Sequence, residues 1–364
     1  MLFSEQFDPT TLSTRSYTQA EIENTLRKKE FGSQNFPILI SSEMRPHLEE
    51  LAQRSHLLTQ QRFGNTMQLF IPLYLSNLCF NKCTYCGFSI EHTYPRVTLT
   101  RDEILKEGDI LHQKGFQHLL LLTGEAPKEV GVGYISEAIR LLKPQFSSIG
   151  VEIQPMTESD YRILIKAGAD SITLYQETYH PESYSQYHLS GKKKFFKNRL
   201  DAVDEAGKAG FYRLNLGALL GLYEWRFEAL ALAQHLTYLQ TNYWKTKYSV
   251  SFPRIRDMIG SFQQAYPVTD TDIVQFICAF RLAFPDVGIT LSTRESADIR
   301  DRLVKLGITS MSAESHTEPG GYSGKEAEKQ FEISDTRSLE EVKNMLIYQG
   351  FEPVMKDWEA PCHS

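Results

Sequence analysis

From Gln68 onward the chain alternates short apolar runs with amphipathic stretches of helical period, and the alternation repeats eight times. The apolar runs fall at 68–75, 117–124, 149–155, 170–176, 212–220, 247–253, 288–294 and 307–313. Each is the length of a strand and too short for a helix. Between them lie segments such as RDEILKEGDILHQKG, ESDYRILIKAG and FFKNRLDAVDEAGKAG, whose apolar positions recur every three or four residues. Helix punctuation agrees: Thr100 with Glu103 forms a capping box, Thr157 precedes Asp160, and Gly115, Gly168, Gly210 and Gly307 stand where helices close. Eight strand–helix units predict an α/β fold with a parallel sheet and right-handed crossovers, closed as a (β/α)8 TIM-type barrel. A doubly wound open sheet is the alternative arrangement of the same alternation.

The first 66 residues carry no strand pattern and read as a helical extension. Thr18 with Glu21 is a capping box there, and Ser41–Ser42 stand ahead of a long helical stretch, EMRPHLEELAQRSHLLTQQRFG. The expected organisation is an N-terminal helical extension (1–66), a barrel (67–335) and a C-terminal helix and tail (336–364). A formal charge of -6 argues against a nucleic-acid partner, which calls for a basic face. No apolar run approaches the ~18 residues of a membrane span, and the polar N-terminus lacks the apolar core of a signal peptide. The expected location is the cytoplasm.

The five cysteines change the picture. Cys79, Cys83 and Cys86 crowd into eight residues directly after the first strand run, which suits metal rather than a disulfide framework. Three thiolates on one loop hold three irons of a cubane and leave the fourth open. Zinc is the rival and calls for a fourth ligand, for which His92 is the nearest candidate. Cys278, in IVQFICAFRLAF, reads as a buried core thiol, and Cys362 lies near the chain end. Barrel chemistry sits at the carboxyl ends of strands, and the sequences there are polar: CFNKCTYC, TGEAP, EIQPM, YQETYH, FPRIR, STRES and AESHTEPGG.

The C-x3-C-x2-C spacing, with the aromatic Tyr85 before the last cysteine, resembles the signature of the radical S-adenosylmethionine (SAM) superfamily. That resemblance implies a [4Fe–4S] cluster on Cys79, Cys83 and Cys86, with SAM chelating the open iron and cleaving to methionine and a 5′-deoxyadenosyl radical. It also suggests SAM contacts. Thr123-Gly124-Glu125 stands where many members have Gly-Gly-Glu, so the first glycine is replaced, and Gly124 and Glu125 would edge the SAM amino group. Glu177 would receive the ribose hydroxyls, Arg199 the SAM carboxylate, and Gln154 and Tyr85 would be further neighbours.

The segments LLTGEAP, LYQETYHPESY, GALLGLYEWR and LSTRES resemble the aromatic amino acid lyases of this superfamily, and most closely the tyrosine lyases of bacterial thiamine thiazole synthesis. The resemblance implies Cα–Cβ cleavage of L-tyrosine to 2-iminoacetate and p-cresol. Ser292 and Arg294 would hold the substrate carboxylate, a thiazole synthase would receive the imine, and a flavodoxin- or ferredoxin-type protein would donate electrons. Arg254 and Arg256 are further cations at the same mouth, Tyr94, Tyr175 and Tyr322 are possible ring neighbours, and Pro319-Gly320-Gly321 is a possible mobile closure. The tyrosine lyases of hydrogenase maturation carry a second three-cysteine site in a C-terminal extension. The sequence, ending at Ser364 with Cys362 alone, is expected to lack it. A tryptophan lyase, a biotin-synthase-like sulfur insertion and a zinc-braced module are the remaining alternatives.

Overall fold

A computed structural model describes residues 2–13, 15–256 and 262–356, so Cys362 lies outside the described residues. All eight expected strands form: β1 (Thr66–Ser76), β2 (His118–Thr123), β3 (Ser148–Glu152), β4 (Ser171–Glu177), β5 (Arg213–Ala218), β6 (Lys247–Ser251), β7 (Gly288–Leu291) and β8 (Ser310–Ser312). Each pairs in parallel with the next, and β8 returns to β1 through Gln68–Ser310, Leu69–Met311 and Phe70–Ser312. The sheet is therefore closed, and the open doubly wound arrangement is excluded.

Two kinds of side chain alternate along the strands. Outward residues such as Leu69, Ile71, Val151, Ile172, Leu214 and Val250 are buried against the helices and form the main core. Many inward residues are short and polar: Ser148, Ser171, Thr173, Asn215, Ser249, Thr290 and Ser310 face the axis, together with larger ones such as Phe70, Tyr74, Leu120 and Tyr175. Most barrels of this kind pack branched apolar side chains inside. Here the axis stays open instead, as a cavity of about 1350 Å³.

The capping residues act as expected: Thr18, Thr100 and Thr157 each accept a backbone N–H three residues on. Gly168 and Gly210 end their helices in the left-handed conformation. The Ser41–Ser42 expectation fails. The long helix starts at Leu48, after a 3-10 turn over Arg45–His47 whose Pro46 suits a first turn. Ser41 turns instead to docking, its carbonyl accepting from Gln275 Nε2 at 2.7 Å on the helix Asp270–Ala283. Two additions have no counterpart in the sequence reading. A two-stranded antiparallel ribbon pairs Lys82–Cys83 with His188–Ser190, and a short strand, Glu352–Val354, pairs with the start of β1.

Below the rim, Arg300 is fully buried and joins Asp335, itself 1% exposed, and the carbonyl of Ser312 at the end of β8. Arg337 also meets Asp335, at 2.7 Å, so removing Arg300 leaves the carboxylate one partner and costs the buried bonds that Arg300 itself makes. Arg300→Leu is expected to cost about 2–3 kcal/mol in denaturant unfolding, and a loss under about 1 kcal/mol would show the pair to be dispensable.

Candidate active site

The cysteine loop lies on the upper rim. Phe80 N–H donates to the Glu125 carbonyl at 3.1 Å and Thr84 N–H to that of Tyr187 at 3.1 Å, so the loop is sewn to the neighbouring strand ends. Gly124 must lack a side chain: a Cβ there would stand 2.2 Å from the Leu78 carbonyl oxygen and 3.1 Å from Cys79 Cβ. Cys79 and Cys83 are buried, Cys86 is half-buried, and none of the three is in a disulfide. Burial pushes Cys79 up to about 11 and raises Cys83 and Cys86 as well. Thiols in such surroundings become thiolates only by binding a metal. Two amides approach the sulfurs, Asn81 Nδ2 at 3.7 Å from Cys79 and Gln330 Nε2 at 3.9 Å from Cys86, as donors to cluster sulfurs do.

Among the described residues no three His, Cys, Asp or Glu side chains converge on a single ion. The zinc reading with His92 therefore has no site. Three sulfurs held apart on one loop fit separate irons of a cubane.

A charge network ties this loop to the strand ends. Arg199, on the helix Phe196–Ala209, donates from Nη1 to Glu125 at 2.9 Å, from Nη2 to Glu177 at 3.2 Å and from Nε to the Tyr175 carbonyl at 2.6 Å. Lys193 Nζ meets the same Glu177 oxygen at 2.7 Å. Asn81 completes the chain, giving Nδ2 to Glu125 at 2.8 Å and accepting the Lys193 N–H at 3.0 Å. Burial opposes the Glu177 carboxylate, but Lys193 and Arg199 outweigh it and hold the carboxyl at about 2. Glu177 follows a register shift in β4 and has φ 71, a strained value for a residue with a side chain. Buried Glu228 braces that turn by accepting from Thr178 Oγ1 and, at 2.8 Å, from Tyr179 N–H. Tyr85 is fixed by a 2.6 Å bond to His188 Nε2. The other nitrogen of His188 faces the Tyr184 carbonyl at 2.8 Å, and burial keeps the ring neutral, so Tyr85 donates.

Below the rim the cavity brings together Tyr74, Glu152, Tyr175, Ser292, Arg294 and Gln330. The Arg294 guanidinium lies 3.4 Å from the centroid of Phe331. It makes no ion pair or hydrogen bond among the described residues, and burial lowers its affinity for its proton. Glu152 is likewise unpaired, and burial with the nearby Glu177 charge lifts it to about 7.

Sequence expectations divide accordingly. The three cysteines, Gly124, Glu125, Glu177 and Arg199 meet around one loop, with Tyr85 beside it. Ser292 and Arg294 meet at the cavity wall, in the turn after β7 rather than on it. Gln154 stands past the end of β3, bonded to the Val130 carbonyl at 3.2 Å and outside the cavity lining. Arg254 and Arg256 both pair with Glu295, and Arg254 also with Asp270, so they form an ion cluster of the wall. Tyr175 lines the cavity, whereas Tyr94 and Tyr322 bond backbone carbonyls of Gly87 and Pro72. The Gly320–Gly321 turn is clamped, because Tyr322 and Ser323 N–H both donate to Glu107. Lys193, Glu152, Asn81 and Gln330 were missed. Only Glu152 left a signal, as an inward position on an alternating strand.

Residues 73–233 match the Radical SAM superfamily, and residues 251–352 match the Biotin and Thiamin Synthesis associated domain. The chain is 44% identical over 356 residues to the 2-iminoacetate synthase of Escherichia coli (strain K12), covering 97% of this chain and 94% of that protein. The same enzyme of Salmonella typhimurium is 43% identical over 98% of this chain and 95% of its own length. Among solved structures, the FeFe-hydrogenase maturase HydG from Carboxydothermus hydrogenoformans superposes with a TM-score of 0.87 at 33% identity, covering 93% of this chain and 80% of that one.

Cys83→Ala removes one of three thiolates. After anaerobic reconstitution its iron content is expected to fall from about four per chain to well under one, with unchanged circular dichroism. Full iron loading in this variant would remove Cys83 from the ligand set.

Proposed function

The chain belongs to the 2-iminoacetate synthase family of radical SAM enzymes, and from that membership we infer that it cleaves the Cα–Cβ bond of L-tyrosine to 2-iminoacetate and p-cresol for thiamine thiazole synthesis. SAM becomes 5′-deoxyadenosine and methionine. The reading is carried by identity of 43–44% to two 2-iminoacetate synthases over nearly the whole length. HydG shares the fold at lower identity, and nothing in the site favours its assignment over this one.

Bound at the rim, the [4Fe–4S] cluster and SAM would supply a deoxyadenosyl radical able to remove hydrogen from the substrate amino group. We assign the cluster to Cys79, Cys83 and Cys86, whose loop the Gly124 backbone supports. We assign Glu177 to accept hydrogen bonds from the ribose hydroxyls, a reading supported by the two cations that keep it ionised. Arg199 and Lys193 offer positive charge to the SAM carboxylate, and Gly124 and Glu125 edge the amino-group position. Gln154, turned out of the cavity, is reassigned to packing at the end of β3.

Arg294 and Ser292 receive the substrate carboxylate. A planar guanidinium suits a carboxylate at two points, and this one has no anion of its own. Its stacking on Phe331 fixes the plane in which that anion must approach. The axial cavity beneath, about 1350 Å³, has room for the phenol ring.

No described helix is long and apolar enough to cross a membrane. We place the enzyme in the cytoplasm, handing the unstable imine to a thiazole synthase and drawing electrons from a flavodoxin- or ferredoxin-type protein.

With SAM, dithionite and L-tyrosine, the anaerobic holoenzyme is expected to release 5′-deoxyadenosine and p-cresol. Iron loading and SAM cleavage with no p-cresol from tyrosine would remove the substrate and keep the superfamily. Arg294→Ala is expected to lose about 3 kcal/mol of transition-state binding, on the order of 100-fold in kcat/KM for tyrosine. Uncoupled SAM cleavage should persist, and an unchanged p-cresol yield would take Arg294 out of the substrate site.

A further inference from the structure

Glu152 ends β3 facing the barrel axis, level with Leu122 of β2 and, through it, Tyr74 of β1. Among the described residues its carboxylate makes no hydrogen bond and no ion pair. A carboxylate removed from bulk water and left unpartnered is costly, and its neighbours here are arranged around a space rather than against it. It feels the charges of Glu177 of β4, Arg294 after β7, Lys193 of the turn Lys192–Lys194 and Arg199 of the helix Phe196–Ala209. The remaining titratable groups that face it are Tyr74 and Tyr175, both kept as neutral phenols by burial.

An amino acid whose carboxylate rests on Arg294 presents its amino group to the wall of the same cavity. Glu152 is the unpaired carboxylate of that wall, within electrostatic reach of Arg294. We propose that Glu152 is a catalytic residue that takes a proton from the substrate ammonium, leaving a neutral amine for hydrogen-atom removal. This inference rests on the tyrosine-lyase reading.

The step balances simply. One N–H bond breaks heterolytically, its electron pair stays on nitrogen, and the proton forms an O–H bond on the carboxylate. No electron enters or leaves the protein. A unit positive and a unit negative charge become two neutral groups, so the step adds no charge to be solvated inside the barrel. Burial, with Glu177 adding to it, lifts Glu152 to about 7, which leaves it ionised and more basic than an ordinary carboxylate just above neutral pH.

The test is the reconstituted holoenzyme with SAM, dithionite and L-tyrosine, comparing wild type, Glu152→Gln and Glu152→Asp across a pH series from about 7 to about 9.5, which spans titration of a free amine. Glu152→Gln is expected to lose on the order of 100-fold or more of p-cresol formation near neutrality. Its KM for SAM should be unchanged, and activity should return steeply as rising pH supplies the free amine. Glu152→Asp, which keeps the acid, is expected to retain measurable turnover with the wild-type acid limb, and it carries the test if the Gln variant fails to assemble its cluster. Wild-type p-cresol formation by Glu152→Gln near neutrality overturns the proposal. So does a loss that persists to high pH while SAM is still cleaved; if phenylalanine then competes with tyrosine, the carboxylate belongs to the phenol end. Absence of p-cresol from the wild type would instead fell the lyase reading, and the inference with it.

Discussion

Arg199 sits at the junction on which the rest of the rim depends. Its guanidinium is almost wholly buried, yet it spans Glu125, next to the cysteine loop, and Glu177, at the end of β4. Lys193 adds a second cation and Asn81 a polar hinge, so two positive and two negative groups balance inside one small volume. Each charge is tolerable because the others are there, and the loss of any one leaves the rest desolvated and unpaired. The network is therefore both a brace and a gauge: it sets the height of the cysteine loop against the strand ends that face it.

The second constraint is the inversion of where the core lies. Most apolar side chains point away from the axis toward the helices, while serine, threonine and asparagine take many of the axial positions of β3 to β8. Such short side chains leave the closed sheet hollow, although Phe70, Tyr74, Leu120 and Tyr175 also reach inward. Stability then comes from the shell between sheet and helices and from buried links such as Arg300 with Asp335. The interior is left free for a guest.

Much of this was legible in one dimension. Eight strands, several helix caps and the cysteine spacing are local patterns, and each survives into the structure because it depends on neighbours a few residues away. What was not legible depends on chain segments far apart. Lys193 stands in a run of three lysines that reads as a solvated surface, and it becomes a buried partner only because His188–Ser190 pairs with Lys82–Cys83. Glu228 looks like one more polar residue of a helix; its value lies in gripping a strained turn fifty residues earlier. Gln154 stands two residues past the strand's last inward position, Glu152, and its bond to the Val130 carbonyl could not be read from the sequence. Arg254 and Arg256 were ambiguous until Glu295 folded beneath them.

The lone guanidinium above Phe331 bears on more than recognition. A folded chain that shelters a cation without a paired anion bears an electrostatic cost, and a carboxylate bound at that guanidinium would relieve it. Occupancy and conformational stability would then be thermodynamically linked through one side chain, and an amine lacking the carboxyl group would not engage that link.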